Sequence, residues 1–269
     1  MPIIKGGFLT LSEPVRTVER ALDILLCFSK ETPELTMTQI AERVGIHKST
    51  VHRLLATLEI KRFLERDLLT GLYHPGIRLF QLAYLTLEHN DLRRLAAPFL
   101  RNLSGQYREN VNLSILDDTD VVYLEVIESP QRVKLAATSG QRLPAFCTAS
   151  GKAIFAFMDR EIVQRILNKG MPEYTRHTIQ GLDAYLQDIR QARELGFAMS
   201  EQEFEDGINA VAAPILDNNG QPIASISVAG PSFRLSRERM IEIGPVIQST
   251  ASDIAARIGM LKNPGSSSG

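Results

Sequence analysis

The chain has 269 residues, of which 44% are hydrophobic and 23% charged, with a formal net charge of −1. That balance describes a globular chain long enough for two domains and excludes a bulk polycation that coats nucleic acid. No apolar run approaches the roughly 20 residues of a membrane span; no signal peptide is evident, and Cys27 and Cys147 lie far apart, so we expect a cytoplasmic chain without a disulfide.

Residues 1–13 read as a loose arm. A helix is expected over 15–29, where Val18, Ala21, Leu22, Leu25 and Leu26 recur at helical spacing. Cys27 reads as a small buried filler, since no basic neighbour would activate it. After a loop at 31–35, the stretch from Thr36 to Arg66 carries two short helical blocks. The first has Ile40 and Val44, the second Val51, Leu54, Leu55 and Leu58. Between them, Ala41 permits close approach and Gly45 supplies the turn, a pattern that describes a helix-turn-helix. Thr38 is the expected N-cap of the first helix.

The second helix, over 47–60, turns Ser49, Arg53 and Ala56 away from its apolar side, flanked by Thr50, His52 and Thr57, with Lys48 at its start. This short, hydroxyl-rich, basic face suits a DNA major groove. The plainer reading is an amphipathic helix in a helical hairpin. Two β-prone runs, 63–66 and 72–74, follow across a turn containing Thr70 and Gly71, so the motif is a winged one with Arg66 placed to meet phosphate. From Arg43 to Arg66 there are six Lys/Arg against two acids. Such a confined patch suits docking on a double-stranded DNA operator. Thr38, Gln39, Lys48, Ser49, Thr50, His52, Arg53 and Arg66 are the candidate DNA contacts.

On these residues the chain resembles transcriptional regulators of the isocitrate-lyase-regulator (IclR) type. The resemblance rests on the run from Val18 to Leu25, on Ile40-Ala41-Glu42, on the run from Lys48 to Leu55, and on Phe63-Leu64 and Tyr73-His74-Pro75-Gly76. It extends over residues 14–260.

The next helix, 77–89, is apolar nearly all round and must be covered on several sides. Burial within one subunit and contact with a partner subunit both satisfy that pattern. By the resemblance it is an interdomain linker used for self-association as a homodimer or homotetramer. A boundary is expected at His89-Asn90. Beyond it come a helix over 92–107, strands over 111–116 and 121–127, and a third strand over 133–138. Asp117, Asp118 and Asp120 between the first two strands read as an acidic hairpin turn rather than a cation site. No metal or cofactor is expected.

The run from Leu143 to Ala153 superficially resembles a phosphate-binding loop. Phe146 sits where the first glycine is required and Ala153 where Ser or Thr would hold magnesium, so it is not one. It reads instead as small residues opening a helix over 152–158, with amides able to attract an anion. The resemblance implies that this segment lines an effector cavity, through the amides of Ala149 and Ser150, with Lys152 packing outward.

Helices over 160–169 and 182–195 follow. Glu201, Glu203 and Glu205 read as a solvated strand face rather than a catalytic set. A hairpin, 210–216 and 223–229, turns at Asp217–Gly220 and sets Ser225, Ser227 and Ala229 on one face. By the resemblance, Ser200, Ala210, Ser227 and Ala229 are effector positions. Relatives that sense small keto acids carry Asp, Cys and a second Ser at the first, second and fourth of these, so a less polar pocket is expected here. Phe146, Ala149, Ser150, Ser200, Ala210, Ser225, Ser227 and Ala229 form the candidate effector set. A last helix opens at Ser236, with Met240, Ile243, Ile247, Ala251, Ile254 and Ile258 in a stripe.

The expected architecture is α+β: an N-terminal winged helix-turn-helix (14–76), a linker helix (77–90), a C-terminal GAF-like effector-binding domain (91–260) and a disordered tail (261–269). The expected function is a ligand-responsive transcriptional regulator, a repressor, that senses a small anionic or aromatic organic effector and spans no membrane. The competing readings are a DNA-tethered enzyme active in the C-terminal segment and a DNA binder with no ligand. No nucleophile, base and orienting group converge in motif form, so an enzyme is not expected.

Overall fold

The computed structural model describes residues 14–29, 32–88 and 91–262, with side chains described except at 86–88, 261 and 262. The expected N-terminal arm, the His89-Asn90 boundary and the end of the tail lie outside the described residues. Two compact units, Met1–His89 and Asn90–Gly269, divide the chain.

The first unit contains α1 (Arg16–Leu26), α2 (Met37–Val44), α3 (Lys48–Ile60), the hairpin of β1 (Leu64–Arg66) and β2 (Tyr73–Pro75), and α4 (Ile77–Glu88). Gly45 ends α2 with φ 64° and ψ 31°, a left-handed conformation that a Cβ opposes, and the chain turns there into α3. Thr36, not Thr38, caps α2. Its hydroxyl accepts from Gln39 N, and the Gln39 side chain reaches back to Thr36 N, closing a reciprocal box. His47 caps α3. Ile24, Leu35, Ile40, Val51, Leu55 and Leu64 form a closed core, each worth about 1.5–3 kcal/mol of apolar burial. Leu35 also bridges to Tyr73 through two backbone hydrogen bonds, tying the first loop to the wing.

The second unit is built on one antiparallel sheet of order β5-β4-β3-β8-β7-β6, whose strands are β3 (Asn110–Asp117), β4 (Asp120–Ile127), β5 (Arg142–Pro144), β6 (Ala198–Glu201), β7 (Ile208–Leu216) and β8 (Pro222–Pro231). The expected strand over 133–138 does not form; that segment crosses without ladder hydrogen bonds, and the third strand comes later, as β5. One sheet face packs on α5 (Asp91–Tyr107) and α9 (Arg237–Lys262). The other packs on α6 (Ala149–Phe155), α7 (Arg160–Leu167) and α8 (Leu182–Leu195).

Strand alternation decides what each face carries. On β8, Ala224, Ile226 and Val228 join the α5/α9 core, and Ser225, Ser227 and Ala229 take the opposite side. On β3, Val111 and Leu113 join that same core, while Asn110, Asn112 and Ser114 are buried against the other side. The sheet therefore presents a polar strip toward α6.

Candidate functional site

On the first unit, α3 leaves Lys48, Ser49, His52 and Arg53 exposed, with Thr50 half-buried at the margin. The Ser49 hydroxyl is held 2.9 Å from His47 Nδ1, which orders the first turn of the helix. Gln39 is committed through Oε1 to the α2 cap, and Thr38 is half-buried on the same turn. Arg43 is exposed, but its guanidinium is engaged locally: it donates to Cys27 O (2.8 Å) and Thr32 Oγ1 (2.9 Å). Arg66 rests its guanidinium 5.6 Å from the Tyr73 ring centroid, which limits its swing. The wing turn is built by Asp67, whose Oδ1 accepts from Leu69 N and Thr70 N; these bonds lower its pKa. Its tip exposes Leu68 and Leu69 almost completely, a feature the charge pattern did not suggest. On α4, Phe80, Tyr84 and Leu85 are each more than half exposed, with the Phe80 and Tyr84 rings stacked at 6.3 Å.

The second unit contains a cavity of about 320 Å³ between the polar strip and α6. Six of the eight candidate effector residues line it: Ala149, Ser150, Ser200, Ala210, Ser227 and Ala229. Phe146 does not; its ring lies tilted 6.1 Å from Tyr174, which in turn meets Phe204, a residue that does line the cavity. Ser225 is fully buried two register pairs beyond Ser227, away from the lining. The segment expected as a strand contributes Leu135, Ala136 and Ala137 as an apolar wall. It is fixed there by Asn110 Nδ2 donating to Leu135 O (3.2 Å) and by Arg234 donating to Val133 O (2.8 Å).

The hydroxyls in this cavity are oriented. Ser227 accepts from Asn112 Nδ2 (3.2 Å) and Ser150 accepts from the Ser114 hydroxyl (3.3 Å), so each keeps its own proton to offer. Ser200 instead spends its proton on Cys147 O (3.1 Å). Burial pushes the Tyr123 phenol and the Cys147 thiol up to about 12, so both stay protonated. The cavity is thus a donor-bearing, largely apolar pocket suited to an acceptor group such as a carboxylate or carbonyl.

Helix α6 begins at Ala149 rather than residue 152 and is only seven residues long. Thr148 caps it by accepting from Gly151 N. Gly151 lacks a side chain because an added Cβ would lie 2.1 Å from Ala145 O, and close packing against the preceding turn at Ala145–Cys147 explains it without any phosphate. Each aspartate of the acidic turn is paired: Arg142 bonds Asp117 (2.5 Å) and Asp120 (3.2 Å), and Lys169 pairs with Asp118. Among the described residues no group of three or more His, Cys, Asp or Glu is gathered to hold a metal, and no helix is long and apolar enough to cross a membrane.

Two expectations are overturned behind the cavity. Lys152 does not point outward; it is 1% exposed and its Nζ lies 2.6 Å from Glu203 Oε1 and 2.8 Å from Asp188 Oδ2. Glu203 is not on a solvated strand face, because the chain leaves β6 at Glu201 and carries Glu203 inward to 5% exposure. Burial raises its carboxyl to about 7, against the opposing pull of Lys152.

The family described as bacterial transcriptional regulator IclR C-terminal matches residues 84–256, and the IclR helix-turn-helix domain matches residues 17–68. The chain is 30% identical over 259 residues to the HTH-type transcriptional repressor AllR of Escherichia coli K12, covering 94% of this chain and 96% of that protein. An IclR transcriptional regulator from Alicyclobacillus acidocaldarius superposes with a TM-score of 0.81 at 28% identity, over 90% of this chain and 98% of that one. The IclR of Thermotoga maritima gives a TM-score of 0.73 at 27% identity, over 90% and 98%.

Proposed function

Given that the chain belongs to the IclR family of bacterial transcriptional regulators, we propose that it is a repressor that docks α3 in the major groove of its operator and is controlled by a small organic acid or carbonyl compound held beside Ala149. The observation that carries this reading is the pairing of an exposed basic and hydroxyl face on α3 with a donor-bearing cavity in the second unit. Ser150 and Ser227 donate to the acceptor end of the effector, and the Leu135–Ala137 wall with Phe204 takes its apolar remainder. Ser200, Ala210 and Ala229 are small or weakly polar, which favours a ligand with more hydrocarbon than a minimal keto acid. The family assignment favours this regulatory reading over a DNA-tethered enzyme.

The operator is palindromic in this reading, because the protein acts as a homodimer or a homotetramer. Support comes from α1 and α4, whose Val18, Leu22, Phe80 and Tyr84 expose half or more of their area within one chain. An apolar face of that kind is stable in water when a second copy covers it.

The test is a thermal-shift screen of the full chain against small carboxylates and carbonyl compounds. An effector at 100 times its dissociation constant stabilises the second unit by about 2.7 kcal/mol and raises its melting temperature. A screen in which only cationic or fully apolar compounds stabilise the protein contradicts the proposed effector chemistry.

A further inference from the structure

A second cavity, of about 330 Å³, lies beside the free edge of β6 and is lined by Lys152, Asp188, Leu195, Phe197, Ala198 and Glu203. It is separate from the effector cavity in its lining: no residue is common to both. Its inner wall is a cluster in which one buried ammonium, Lys152, faces two carboxylates, the buried Glu203 and the half-buried Asp188. Glu203 is 5% exposed, and its Oε2 has no hydrogen-bond partner among the described residues. The same is true of the Tyr185 hydroxyl, fully buried on α8. At the rim, Arg237 pairs with Glu201, a neutral couple that leaves the inner imbalance uncorrected.

An excess negative charge is costly where it falls on the buried Glu203, and it is relieved there either by a proton or by a cation. The acceptor left open on Glu203 calls for a donor. Three or more ligating side chains of the kind that hold a metal are not assembled there. The other walls, Leu195, Phe197 and Ala198, are apolar.

We propose that this cavity is a second small-molecule site, distinct from the effector cavity, that takes a primary ammonium compound with a short apolar body: the ammonium donates to Glu203 and the hydrocarbon lies along Leu195, Phe197 and Ala198. The cation competes with the proton that otherwise neutralises Glu203 at lower pH. The groups that face Glu203 are Lys152 from α6, Asp188 and Tyr185 from α8, and Cys147 from the turn before α6; Glu201, Arg237 and His177 stand at the rim. The exchange is between a proton on Glu203 and the ammonium. The inference does not depend on the regulatory reading, since it requires neither DNA nor the first ligand.

Calorimetric titration of the full chain with n-butylammonium chloride, at matched ionic strength, tests it. Saturable binding of one amine per chain is expected at pH 8. With Glu203 titrating at about 7, roughly a tenth of it is ionised at pH 6, so binding should weaken about tenfold there. Glu203→Gln should weaken it at least tenfold and abolish the pH dependence; Asp188→Asn, at a more exposed position, serves if the first variant does not fold. Sodium butyrate should give no heat from this site. Absence of saturable amine binding at pH 8, equal binding by the carboxylate variants, or loss of amine binding in Ala149→Leu would each overturn the proposal, the last by placing the amine in the first cavity.

Discussion

Asn112 and Ser227 stand opposite one another on β3 and β8, and Asn112 Nδ2 donates to the Ser227 hydroxyl across 3.2 Å. The bond leaves the serine proton free to face the cavity. Ser227→Ala should therefore weaken effector binding by about 0.5–1.5 kcal/mol for a neutral acceptor, and by more for a charged one. It also strands the Asn112 amide in the interior, so the melting temperature should fall as well. Calorimetry and thermal melts on the same variant separate the two effects. Unchanged effector affinity would remove Ser227 from the contact set.

Lys152 and Glu203 predict a pH-dependent stability of definite sign. The folded-state pKa of Glu203, about 7, lies above its ordinary value of 4.5. The folded state thus holds this proton more tightly than the unfolded chain does. Its contribution is fully present below pH 4.5, declines as pH rises toward 7 and is flat above that. Glu203→Gln should remove this slope from the wild-type profile, read by chemical denaturation across that range. Lys152→Met should be far more damaging, costing about 3–5 kcal/mol, because it leaves the buried Glu203 and the half-buried Asp188 without their cation.

Helix α4 predicts an assembly defect. Phe80→Glu combined with Tyr84→Glu places charge on an exposed apolar face, so the fold within one chain should survive while association fails. Light scattering should report a shift toward the monomer mass. An unchanged mass with an intact circular dichroism spectrum would assign the face another role.

Arg53 is exposed on α3 with its side chain clear of the core. Arg53→Ala should cost about 1–3 kcal/mol of specific operator binding, the worth of one good base contact. The measurement is an electrophoretic shift at fixed salt, on an operator selected from random duplex DNA. Wild-type affinity in the variant would contradict the assignment of α3 as the recognition helix.

Much of this was legible in residue order because it depends on local periodicity. The spacing of Val51, Leu54, Leu55 and Leu58, and the alternation through Ser225, Ser227 and Ala229, located α3 and the cavity-facing side of β8 directly. The Thr36 cap was within reach too, since Gln39 completes its box three residues later. Other features depend on contacts distant in sequence. Lys152 meets Glu203 across 51 residues, and nothing in the surrounding small-residue run announces that a lysine is buried. The wall at 133–138 has strand-like composition, yet Asn110 and Arg234 hold it by side-chain bonds in place of a ladder. Asn112 and Ser114 were visible as polar residues alternating with Val111, Leu113 and Ile115. Their importance emerges only when β8 pairs alongside and supplies Ser227.

The account as a whole requires that the cavity beside Ala149 control a DNA-binding face located elsewhere in the chain. Ala149 is 1% exposed and lines that cavity, so a larger side chain there occupies the effector's volume. The decisive measurement is the effector dependence of operator binding by Ala149→Leu, read by fluorescence anisotropy alongside calorimetry with the same effector. The account predicts wild-type operator affinity, no effector heat and no effector-induced change in binding. Normal effector binding by Ala149→Leu, with normal control of the operator, would contradict it and place the sensing site elsewhere.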